Sequence, residues 1–80
     1  MDINQIYDRI VNELKALNSL NIIVELEDSI SGAASGSEAL MSSASYLKSL
    51  KESNPEIYGS LKSLINEYLD YCKVNGLLIR

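Results

Sequence analysis

Apolar side chains recur at Ile3, Ile6, Tyr7, Ile10, Val11, Leu14 and Leu17. That alternating three- and four-residue step predicts an amphipathic helix. Asp2 stands where an N-cap belongs and Gln5 stands at the reciprocal position three residues on, so a capping box is expected to start the helix. Arg9 and Glu13 lie one turn apart on the polar side and add a small surface stabilisation. The Asn18-Ser19 pair is expected to end it.

Residues 20–31 read two ways. As a helix, Ile22 or Ile23, Leu26 and Ile30 share one face while Glu25 and Asp28 look outward. As a strand, Ile22, Val24 and Leu26 alternate with Ile23, Glu25 and Glu27, and three β-branched residues in a row favour that locally. A strand needs a partner, however. The only candidate is the tail Leu77-Leu78-Ile79, and a two-stranded ribbon is marginal in water. The helix is the preferred reading.

The small residues from Ser31 to Ser37 read as a loop ending in a helix start, with Ser35 and Glu38 forming an S-x-x-E capping box. The helix that follows, from about Gly36 to Glu52, should bury Leu40, Ala44, Leu47 and Leu50, with Met41 or Tyr46 at its flank. Serines 42, 43, 45 and 49 should occupy its remaining surface. The last helix has the clearest punctuation. Asn54 suits the N-cap, Pro55 the first helical position and Glu56 the positive end of the dipole. Ile57, Leu61, Leu64, Ile65, Tyr68, Tyr71 and Cys72 carry its stripe, with Val74 near its end. Asn75-Gly76 then closes it. The connection at residues 52–54 is short enough to imply an antiparallel hairpin. Leu-Lys-Ser-Leu occurs at both 47–50 and 61–64, but no longer period supports a repeat.

These elements predict an all-α fold: a small antiparallel bundle of three to four helices in one domain, residues 1–80. Helix 1 and the long last helix are expected as the main core partners. The alternative is an α+β fold with a short ribbon pairing residues 22–26 with 77–79. The 80 residues, 46% apolar and 22% charged with one proline, suit a single globular domain. No charge-free run approaches the ~18–20 residues that cross a bilayer. The start of the chain lacks a basic segment leading into an apolar one, so no secretory signal is expected. Cys72, the single cysteine, has no intramolecular partner, which suits a reducing, cytoplasmic setting. A core of this size seldom supplies more than ~3–5 kcal/mol. With disulfides and histidine-based metal sites excluded, a second copy of the chain is the expected supplement.

The net charge of −4 is uneven. Residues 1–40 hold seven acids against Arg9 and Lys15, a net of −5, whereas residues 41–80 net +1. Nucleic-acid binding needs clustered cations, and the seven here are dispersed. An anionic membrane surface is disfavoured for the same reason. A basic protein is compatible, although a mild negative charge also simply keeps a protein in solution.

The chain has no histidine, tryptophan or phenylalanine, which removes much of the usual catalytic equipment. Cys72 lies on an apolar face without a base to hold a thiolate. Glu25, Glu27 and Asp28 could recruit a hard cation, but on a helix Glu27 points away from the other two, and a solvated polar face fits better. The Gly-Ser segment could cradle a phosphate at a helix N-terminus. It matches no phosphate-binding motif, though, and Glu38 would repel the ligand, so loop or close helix contact is the better reading. All five aromatic rings are tyrosines, which favour the boundary of core and solvent and also interfaces. A bundle this small is expected to leave little room for a pocket of ~300 Å³ or more.

No enzyme activity, cofactor or metal is expected. The leading expectation is a protein-interaction module that uses a helical face and associates with itself as a homodimer. The alternative is an acidic inhibitor or immunity-type protein that docks on a basic partner. Candidate partner-contacting residues are Tyr58, Tyr68, Tyr71, Glu25, Glu27 and Asp28.

Overall fold

The computed structural model describes residues 2–77, which form four α-helices and no strand. They are α1 (Ile3–Ala16), α2 (Leu20–Ser31), α3 (Gly36–Ser53) and α4 (Pro55–Val74). The expected all-α bundle is therefore found, at the upper helix count. In the ribbon alternative, residues 22–26 would have been a strand, but they lie inside α2. Residues 78 and 79 of its other half lie outside the described residues. Ile22, Ile23 and Leu26 are all buried on one side of α2. Burial of that stripe outweighs the local preference of β-branched residues for strands.

The helix ends follow the sequence closely. Asp2 accepts a hydrogen bond from the Gln5 backbone N–H at 3.0 Å, and the Gln5 side chain accepts one from the Asp2 N–H at 3.1 Å. Both halves of the capping box are thus present. At α3, Ser35 Oγ accepts from the Glu38 N–H, but the Glu38 carboxylate accepts from the Ala34 N–H at 2.9 Å. That half of the expected box reaches one residue further back into the loop. Asn54 caps α4 by accepting from the Ile57 N–H, with Pro55 in the first turn. Two helices end in the same way. Asn18 (φ 57°) after α1 and Gly76 (φ 76°) after α4 take left-handed backbone. The next residues, Ser19 and Leu77, donate back to Leu14 and Cys72, as in a Schellman motif.

The four helices form a ring. Each packs on its neighbour in sequence and α1 closes onto α4, whereas the backbones of the diagonal pairs do not approach closely among the described residues. Ser43 and Tyr68, at similar distances either side of Asn54, meet through their hydroxyls at 2.6 Å. α3 and α4 therefore run antiparallel. The α3–α4 seam is the most extensive in the molecule, ahead of the α1–α4 seam expected to dominate. The reason is length and tether: the 18- and 20-residue helices are joined through Asn54 alone and lie back along one another. The core comprises Ile6, Ile10 and Leu14; Ile22, Ile23 and Leu26; Ala44, Leu47 and Leu50; and Leu61, Ile65, Tyr68 and Cys72.

Two placements differ from expectation. Ser43, expected at the surface, is fully buried on the stripe of Leu47 and Leu50, where its hydroxyl also donates toward the Ala39 and Leu40 carbonyls. Val74 is 84% exposed, because two residues beyond Cys72 the helix has turned its side chain away from the core. Among the described residues, no buried polar side-chain atom lacks a hydrogen-bond partner.

Candidate functional site

One end of the bundle is open. α1 and α3 begin there, α2 ends there, and a cavity of about 590 Å³ lies between them. α1 contributes Ile3 and Tyr7, α2 contributes Glu27 and Ile30, α3 contributes Ala39 and Leu40, and α4 contributes Tyr68. This corrects the expectation that so small a bundle would leave little room for such a space. Two of the cavity's lining residues on α3 are small, Gly36 and Ala39, and a Cβ built on Gly36 would meet nothing within 4 Å.

The cavity is mainly apolar, with polar groups at a few points. Tyr68 is only 2% exposed, and its hydroxyl is engaged by Ser43, so its ring serves as lining. Burial pushes the Tyr68 phenol above its ordinary pKa, the hydrogen bond from Ser43 opposes this, and Cys72 and Tyr7 add to the rise. The half-buried Tyr7 phenol is raised by burial first, and then by the carboxylates of Glu27 and Asp8. Both phenols therefore stay neutral at ordinary pH. Among the described residues Glu27 is the one charged side chain in the lining.

The six sequence-predicted contact residues do not converge. Tyr58, Tyr68 and Tyr71 are on α4, while Glu25, Glu27 and Asp28 are on α2, diagonally across the ring. Tyr58 and Tyr71 lie about 20 Å apart along the α4 axis at 1.5 Å per residue. Tyr58 packs half-buried against the core. Tyr71 lines a separate, shallow groove of about 320 Å³ with Ile6, Glu67, Asp70 and Val74. Glu25 accepts a short hydrogen bond from the Tyr46 hydroxyl, which ties α2 to α3. Burial and that bond push the Tyr46 phenol strongly upward. Asp28 is exposed. Only Glu27 and Tyr68 come together, at the cavity. Of its other lining residues, Tyr7 and Leu40 read in the sequence as helix stripe positions, and Ala39 carries no sequence signal of its own. The one signal that could have found the site was the run of small residues leading into α3.

A second feature lies on the outside of α2. Leu20 and Val24, one turn apart, are 59% and 57% exposed, and Leu17 just before them is 38% exposed. The same side of the helix continues into Glu27 and Asp28, one turn beyond Val24.

Cys72 is sealed in the core, and burial alone pushes its thiol above its ordinary pKa. Among the described residues no three cysteine or carboxylate side chains gather as a metal-binding group. No described helix is long and apolar enough to cross a membrane. Comparison with family models, curated proteins and solved structures finds no match for this chain.

Proposed function

We propose that the protein is a non-catalytic interaction module that presents the outer face of α2 to a partner polypeptide carrying apolar and basic side chains. One observation carries this reading: Leu20 and Val24 stand more than half exposed on a stripe that runs directly into Glu27 and Asp28. Apolar contact over the leucine and valine supplies burial, and the acids select a basic neighbour and orient it. The net charge of −5 on residues 1–40 would speed encounter with such a partner.

Pairing with a second copy through the same face is the other reading, favoured by the same exposed apolar residues. Two considerations rank it lower. Like charges would face each other across the contact. The total accessible surface of 5043 Å² is also close to the roughly 4,800 Å² expected of a monomer this size, so the chain closes its own core unaided.

Affinity capture with the wild-type chain, a Leu20→Asp/Val24→Asp variant and a Glu27→Lys/Asp28→Lys variant tests the proposal. Sedimentation of each at low and high salt completes it. These exposed substitutions should leave stability within about 0.5 kcal/mol. The basic partner should be lost in both variants, and its binding to wild type should weaken with salt. A homodimer would instead strengthen as salt screens the acids. A captured set unchanged by both variants would remove the α2 face from consideration.

A further inference from the structure

We propose that the cavity at the open end of the bundle is a binding site for a small organic cation with an apolar body, of the alkylammonium class. At about 590 Å³ it falls within the ~300–1,000 Å³ typical of small-molecule sites, and all four helices contribute to its wall. Ile3, Ile30 and Leu40 offer apolar surface for the body of a ligand. The charged end is chosen by what else is present. The half-buried Tyr7 contributes a ring to the wall, and an aromatic face attracts a cation. Glu27 supplies a carboxylate, and among the described residues no lysine or arginine is in the lining to neutralise it. An anionic ligand would meet Glu27 with Asp8 close enough to act on the same Tyr7 phenol. A neutral ligand would gain burial but nothing from the carboxylate. The cation gains both.

The cavity and the α2 docking face share Glu27, but Leu20 and Val24 belong to the docking face alone and Tyr7, Ala39 and Leu40 to the cavity alone, so variants at those positions tell the two apart. Calorimetry and amide chemical-shift mapping on the full chain, with octylammonium, octanol and octanoate below their micelle concentrations, test it. Octylammonium should bind saturably with one-to-one stoichiometry, moving the resonances of Ile3, Tyr7, Leu40 and Tyr68. Octanol should bind about two- to fivefold more weakly, the range expected for losing one partly exposed ionic contact, and octanoate more weakly again. Glu27→Gln, an exposed change that leaves the fold intact, should equalise octylammonium and octanol. Ala39→Trp should fill the space and abolish binding of both, while Leu20→Asp should leave both unchanged. If Ala39→Trp does not fold, the Glu27→Gln comparison still decides. The proposal is overturned if no probe binds, if octanoate binds as tightly as octylammonium, if the shifts map elsewhere, or if Glu27→Gln leaves the preference untouched.

Discussion

The Ser43–Tyr68 pair shows how one buried hydroxyl is accommodated by another. Ser43 Oγ is within hydrogen-bond distance of the Ala39 and Leu40 carbonyls and of the Tyr68 hydroxyl. Removing either hydroxyl has unequal consequences. Ser43→Ala leaves the Tyr68 hydroxyl without its partner in a nearly closed site and should cost about 1–3 kcal/mol. Tyr68→Phe leaves Ser43 with its backbone acceptors and should cost about 0.5–1.5 kcal/mol. Because the two share one bond, urea denaturation of the double variant should show a loss smaller than the sum. The sequence did not disclose this pair. Serine is ordinarily a surface residue, and only the register of α4 against α3 brings a phenol to it. The tyrosines also set the alkaline limit of stability. Tyr7, Tyr46, Tyr68 and Cys72 all have folded-state pKa values raised chiefly by burial. Each contribution is complete below the unfolded-chain value and is lost as pH climbs past it toward the folded value. The urea midpoint should therefore be flat from neutral pH to about 8, begin to fall as the unfolded thiol ionises near about 8.5, and fall more steeply above about 10, where unfolded tyrosine ionises. A midpoint that holds steady well above that range would contradict the burial assigned to these phenols.

At the scale of elements, punctuation was the most legible part of the chain. Asp2 with Gln5, Asn54 with Pro55, and Asn75-Gly76 each act where the sequence places them, because a cap is a local bond between residues three or four apart. Asn54→Ala should lower stability by about 1 kcal/mol. Asn18 offers a sharper test, since its left-handed backbone disfavours any residue with a β-carbon that cannot bond locally. Asn18→Ala should cost about 1 kcal/mol and Asn18→Gly little or nothing, by thermal or chemical denaturation. α2 was the least legible element. Ile22-Ile23-Val24 favours a strand in isolation, and the decision for helix is made by burying Ile22, Ile23 and Leu26 against α1 and α3. Ser19 contributes no side-chain cap there, so α2 depends on that burial more than its neighbours do.

For the whole molecule, the ring of four helices followed from stripe periodicity and short connections, but its dominant seam did not. Helix length and the Asn54 link decide that, and neither changes the hydrophobic pattern. The end cavity was less legible still. It depends on how closely the four helices approach at one end, which no periodicity records. Of the six residues singled out beforehand, Glu27 and Tyr68 meet there only because α2 and α4 bring their ends to the same mouth.

Cys72, closed into the core from α4, turns the chain into its own clock. A disulfide reagent in excess can label this single thiol only in molecules where the enclosing side chains have parted, so the labelling rate counts openings directly. In native buffer the reaction should proceed at the pace of unfolding, and in urea it should finish on mixing. Rapid labelling without denaturant would mean that the packing around this part of α4 opens independently of the rest of the core.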